Sequence, residues 1–116
     1  MALALIKRGS IVKVRLDPVE GSEQAGMRPA VVISATVLNE TADVLVVAPI
    51  TSKKTDRVFP FEAMLDHVAC GLDLPSKAML NQIRTVSKVR VVGSFGLADR
   101  ETLFAIDAAI KVTLGL

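Results

Sequence analysis

The chain has 116 residues, 51% of them apolar, with a mean hydropathy of +0.48 and a formal charge of +2. That describes one domain, 1–116, with room for a single core, too apolar for a disordered segment and too mildly basic to coat nucleic acid by charge alone. No apolar run approaches the roughly eighteen residues needed to span a bilayer, and "MALALIKRG" sets its basic residues after its apolar ones, the reverse of a signal peptide, so the chain reads as cytoplasmic.

"SIVKVRL" alternates from Val12 through Val14 to Leu16, with Lys13 and Arg15 pointing the other way, and predicts a half-buried strand. The next apolar run follows only after "DPVEGSEQAGMRP", a thirteen-residue connection from Asp17 to Pro29. A hairpin needs only about two to five. "AVVISATV" (Ala30 to Val37) and "DVLVVAPI" (Asp43 to Ile50) are dense in β-branched residues and predict central strands covered on both faces, joined by "LNETA" as a short polar turn. "RVFPFEAML" reads as a further strand in which Pro60 marks an edge or a bulge. "LDHVACGLDLPS" reads as irregular, and "MLNQIRTVS" and "KVRVVGSFG" as two strands joined tightly at Ser87 and Lys88. From Asp99 to Leu114, Leu103, Ile106, Ile110 and Leu114 recur at helical spacing; Asp99 or Ala98 starts this helix, Glu101 lies in its first turn and Gly115 ends it. The order predicts a mainly β fold: a small, antiparallel, partly closed β-barrel with a C-terminal helix packed on it.

The chemistry is bounded by what is scarce. One cysteine, Cys70, forms no internal disulfide and reads as a buried thiol. One histidine, His67, leaves no His–His pair and no triad with a spare member, and its irregular setting reads as structural. Four Phe with no Trp or Tyr leave base stacking a minor device. Metal-ligand spacings such as HExxH or CxxC are absent, as are the P-loop and GxGxxG fingerprints. Chemistry without metal or nucleotide, or pure binding, remains.

The long connection is then the leading site candidate. Gly21 and Gly26 allow sharp turns and close ligand approach. Pro29 biases Arg28 towards an extended backbone, and Arg28 presents forked donors that suit phosphate oxygens. Ser22, Glu23 and Gln24 add a hydroxyl, a carboxylate and an amide; a solvated charged loop is the plainer alternative. "APITSKKTDR" sets Thr51 and Ser52 beyond a buried strand end, ahead of Lys53, Lys54 and Arg57, which suits a phosphate-binding edge and equally a solvated lysine turn. In "NQIRTVSK", Asn81, Gln82 and Arg84 are suited to reading base edges or to capping a barrel rim.

"RGSIVKVRLDPVEGSEQAGMRPAVVIS" closely resembles the opening of the MazF/PemK toxins, and "APITS", "FPFE" and "LNQIRTVSKVR" recur in the order of that family's later motifs. The resemblance covers essentially the whole chain. It implies an SH3-like barrel of the MazF/CcdB/Kid type and the toxin of a type II toxin–antitoxin system. The activity it implies is sequence-specific, metal-independent endoribonuclease cleavage of single-stranded RNA, with no cofactor. It also implies a homodimer held inactive by an acidic MazE-like antitoxin through a disordered C-terminal segment. Matched residue by residue, Arg28 falls on the family's essential arginine, Thr51 on its essential threonine and Glu23 on a glutamate implicated in some members. Those three are the expected catalytic residues. Ser22, Gln24, Ser52, Lys53, Lys54, Arg57, Gln82 and Arg84 are the expected RNA-binding ones. Lys13 stands where many members have Trp, and Ser10 where they have Asp. The alternative is a gyrase-binding toxin of the CcdB branch, which has no need of "GSEQAGMRP" or Thr51.

Overall fold

The alternation in "SIVKVR" produces β1 (Ser10–Arg15) in the computed structural model, which describes residues 6–15 and 26–116. β1 pairs with β2 (Met27–Val32) on one side and β7 (Val91–Leu97) on the other. β2 in turn pairs with β3 (Val44–Thr51). The far edge of β3 is divided between two strands: β6 (Arg84–Ser87) takes Val44 to Val47, and β5 (Lys77–Met79) takes Ile50 and Thr51. β4 (Glu62–Met64) lies outside β5. Every ladder is antiparallel, and among the described residues none joins β7 to β4 or β6, so the sheet stays open.

The central strands are covered on both faces, as their β-branched composition predicts. Ile11, Val31, Ala48 and Ile50 bury against Cys70, Leu80 and the Ile106–Ala109 side of the terminal helix α3 (Arg100–Leu114). Their neighbours Val12, Val14, Ala30, Val32, Leu45 and Val47 join Val86 and Val91 on the opposite face. This is the period-2 alternation of a strand, with each fully buried aliphatic side chain worth about 1.5–3 kcal/mol. Helix α3 begins after Asp99 and ends at Gly115 (φ 73), whose N–H donates to the Lys111 carbonyl. Arg8 ties the start of the chain to it, donating from Nη2 to Asp107 Oδ1 at 2.7 Å and from Nε to the Ile33 carbonyl at 2.8 Å.

Several boundaries differ from the sequence expectation. The strand expected to run to Val37 stops at Val32, and Thr36–Thr41 forms helix α1 instead of a strand end and a polar turn. Tertiary hydrogen bonds override the β propensity of Thr36 and Val37: buried Asn39 donates to the Ile6 and Ser34 carbonyls, and Ser34 Oγ accepts from Val46 N–H. Pro60 lies in a turn closed by Glu62 N–H to the Phe59 carbonyl, so only Glu62–Met64 of "RVFPFEAML" is strand. "MLNQIRTVS" is broken by a 3-10 turn at Leu80–Gln82. That turn carries the chain past Ala48 and Pro49, between the two stretches of β3 that β5 and β6 occupy; Pro49, with no N–H, falls in the gap. A second 3-10 turn, Lys88–Arg90, begins "KVRVVGSFG".

The supposedly irregular segment holds helix α2 (His67–Cys70), capped by Asp66 Oδ1 accepting from Ala69 N–H and ended by Gly71 at φ 82. Gly71 meets β7 backbone to backbone: a Cβ there would sit 2.2 Å from the Phe95 carbonyl oxygen, and one on Gly96 would sit 2.6 Å from that of Cys70. Gly71→Ala therefore combines a left-handed backbone with a collision against main chain. It is expected to destabilise by about 2 kcal/mol or more, read as a lower midpoint in urea unfolding. Burial pushes the Cys70 thiol up, with the Asp99 charge acting the same way, so it is an inert core group as expected.

Candidate active site

Arg28 and Thr51 arrive at one cavity from adjacent strands. The β2–β3 register pairs Val32 with Val47 and Ala30 with Pro49. Arg28 and Thr51 each lie two residues beyond the last of these pairs, at the same end of the two strands. Both line an open cavity of about 400 Å³ together with Ser52 and Lys53, and Phe95 of β7 forms part of its wall. Arg28 is exposed and its guanidinium has no hydrogen-bond or ion-pair partner among the described residues, so its donors are available. Thr51 Oγ1 accepts from Lys53 N–H at 3.1 Å, which leaves the hydroxyl proton free to donate.

The other expected residues fall into three groups. Lys54 and Arg57 line a neighbouring cavity of about 310 Å³ with Asp56, Phe59 and Lys77. There Arg57 lies over the Phe59 ring, 5.4 Å from its centroid, and Phe59 stacks on Phe61 at 5.3 Å. Gln82 and Arg84 are exposed and line neither cavity; Gln82 Nε2 lies 3.7 Å from Met79 Sδ. Ser22, Glu23 and Gln24 lie outside the described residues. His67, at the start of α2, lines neither cavity.

Sequence reasoning missed the group beneath these cavities. Lys77 is paired with Thr51 across the β3–β5 ladder, and its ammonium donates to the Arg57 carbonyl at 2.8 Å and to Glu62 Oε1 at 2.9 Å. The two side chains are 5% and 9% exposed, so this is a buried ion pair. Burial alone would raise the Glu62 carboxyl. The Phe59 N–H that it accepts and the Lys77 hydrogen bond and charge outweigh that and hold it below its ordinary 4.5. Glu62 stands in "FPFE", and Lys77 follows a Pro–Ser pair with nothing in the sequence to mark it as buried. Phe95 was likewise unremarked, although it is one of only four aromatic residues.

A further cavity of about 350 Å³ runs along α3, lined by Phe104, Ala108 and Leu116 with the Arg8–Asp107 pair. It is largely apolar; of its two cations, Arg8 is matched by Asp107 and Lys111 is exposed on the helix. The Arg28–Thr51 cavity, with free donors at the ends of two central strands, is the one suited to a phosphate-bearing chain. Among the described residues no group of three or more His, Cys, Asp and Glu is arranged to hold a metal ion, and no helix is long and apolar enough to cross a membrane.

A small β protein with a terminal helix and such a strand-end site is the class that fold and geometry define. Residues 7–114 match the model of the PemK-like, MazF-like toxins of type II toxin–antitoxin systems, and the chain belongs to that family. It is 37% identical over 117 residues to endoribonuclease MazF9 of Mycobacterium tuberculosis, covering 97% of this chain and 98% of the relative. To endoribonuclease EndoA of Bacillus subtilis it is 33% identical over 112 residues, covering 97% of each. Its fold matches a mycobacterial endoribonuclease solved in complex with its cognate antitoxin, with a TM-score of 0.77 over 95% of both chains at 20% identity. Both sequence relatives are named endoribonucleases, which sets the gyrase-binding alternative aside.

Proposed function

We propose that this chain is the endoribonuclease toxin of a type II toxin–antitoxin pair, and that it cleaves single-stranded RNA at defined sequences. The observation that carries the site assignment is the meeting of Arg28 and Thr51 in one cavity, from the neighbouring ends of β2 and β3. The substrate's own 2′-oxygen forms the new bond to phosphorus as the bond to the 5′-oxygen breaks. Its proton passes to a base, for which the Glu23 carboxylate is the candidate, and the departing oxygen takes a proton from an acid. Arg28 holds the equatorial oxygens of the phosphorane, since a guanidinium that stays charged is a stabiliser of negative charge and a poor base. Thr51 donates its free hydroxyl proton to the same oxygens. The products are a 2′,3′-cyclic phosphate and a 5′-hydroxyl.

Arg28 and Thr51 supply the charge and hydrogen bond that a metal supplies in other nucleases, so cleavage is expected to persist in excess EDTA. It is expected to stop when the 2′-OH at the cut is replaced by hydrogen. Mapping ends on a long RNA checks both, and cutting of the deoxy substrate at the normal rate would refute the mechanism.

The partner is an acidic antitoxin segment that folds across the exposed Lys53, Lys54 and Arg57 and competes with RNA. Two copies pair through the outer side of α3, where Phe104 is 77% and Leu116 83% exposed. The toxin domain spans the whole chain and acts in the cytoplasm, where messages are translated.

A further inference from the structure

We propose that Phe95 and Asp73 form a nucleobase subsite within the Arg28–Thr51 cavity, Phe95 as the stacking surface and Asp73 as the acceptor that selects a base bearing an amino group. The proposal rests on the endoribonuclease reading and says how that site distinguishes one sequence from another. Arg28, Thr51 and Lys53 are phosphate binders, and phosphate contacts position a chain without reading it. The cavity nonetheless has a volume of about 400 Å³, more than a phosphate requires and within the range of small-molecule sites.

Phe95 is the one aromatic residue among the described residues of the cavity wall and is 37% exposed. Lys13 Nζ lies over its ring, 5.6 Å from the centroid, and Gly93 beside Lys13 in the β1–β7 ladder leaves that approach clear. The main chain that carries the ring is also held from behind. The Gly71–Phe95 and Cys70–Gly96 contacts bring main chain against main chain, too close for any side chain between them, and lock Phe95 to the end of α2. With its backbone held, the ring has only its two side-chain torsions left to order when a base stacks on it. The same anchor carries Asp73: Leu72 N–H donates to the His67 carbonyl at 2.8 Å, directing the next residue to the cavity. Among the described lining residues Asp73 is the one carboxylate, and its side chain has no hydrogen-bond or ion-pair partner among the described residues. A carboxylate in a site for a polyanion repels phosphate. It fits where it accepts from the amino group of adenine, cytosine or guanine in preference to uracil.

The test maps cleavage of a long single-stranded RNA by wild type, Phe95→Ala, Phe95→Trp and Asp73→Asn, with thermal unfolding confirming that each variant folds. Phe95→Ala is expected to lose about tenfold or more in kcat/KM, with recovery in Phe95→Trp. Asp73→Asn, which adds a donor, is expected to keep cutting and to shift preference beside the cut towards bases presenting a carbonyl. The deciding arm places an abasic nucleotide on either side of the cut in a short RNA. Loss of the base at one position is expected to cost wild type about tenfold and Phe95→Ala little, a coupling that a merely structural Phe95 would not produce. Equal abasic penalties in both proteins, or an unchanged site pattern in Asp73→Asn, overturn the subsite while leaving the nuclease reading intact. Absence of cuts by wild type would instead overturn that reading and the subsite with it.

Discussion

Arg28→Ala is expected to lower kcat for RNA cleavage by about 10² to 10³, the loss typical of one transition-state donor, with little change in the unfolding midpoint. The two outcomes separate because Arg28 is exposed at the start of β2 and its side chain makes no hydrogen bond or ion pair among the described residues. Its removal takes nothing from either core cluster. The effect falls on kcat because the phosphorane carries more negative charge on its oxygens than the ground-state diester. Arg28→Lys keeps the charge, loses the planar fork and is expected to recover only part of the rate. Thr51→Ala removes a neutral donor and is expected to cost less than Arg28→Ala, since charge-assisted hydrogen bonds are roughly twice as strong. Single-turnover cleavage of one defined RNA measures all three against wild type. Cleavage by Arg28→Ala at the wild-type rate removes Arg28 from the mechanism.

How far this site could be read from the sequence depends on the range of the interactions that build it. Strand β1 and helix α3 were legible because their signals are local: alternation through Val12 and Val14, and helical spacing from Leu103 to Ile110 ended by Gly115. Arg28 was legible through "GSEQAGMRP" and Thr51 through "APITS", each on its own segment. Their meeting was not, because it depends on the β2–β3 register, which no local signal sets. Helix α1 was misread for the same reason, since Asn39 gains its partners from Ile6 and Ser34 across the fold. The Gly71–Gly96 contact is a case where the missing side chain is the feature, and neither glycine declares its partner. In the sequence Lys53, Lys54 and Arg57 stand close together, yet the turn that puts Lys54 at φ 56 divides them between two cavities.

The division rests on Lys77, and its substitution carries the second large effect. Lys77→Met is expected to destabilise the fold by about 3 kcal/mol, the lower end of what breaking a buried pair costs, because it leaves the Glu62 carboxylate hidden and without its cation. It also frees the Arg57 carbonyl, so the segment carrying Lys54 and Arg57 loses its tether to the strand beside Thr51. The pH dependence identifies the cause. Glu62 is lowered in the folded state, so its contribution is fully present above about pH 4.5 and is lost as pH falls through the lower folded value. In Lys77→Met the hydrogen bond and charge that lower it are gone while its burial remains, so the carboxyl rises and the acid unfolding transition moves to higher pH. Replacing both partners, Lys77→Met with Glu62→Leu, is expected to recover most of the stability at pH 7, since no charge is then left buried. Urea unfolding of the three proteins from pH 3 to 7 reads these shifts. A single mutant as stable as wild type at pH 7 would show that the pair contributes nothing. A double mutant no better than the single would show that the tether to Arg57, rather than the charge on Glu62, is what Lys77 supplies.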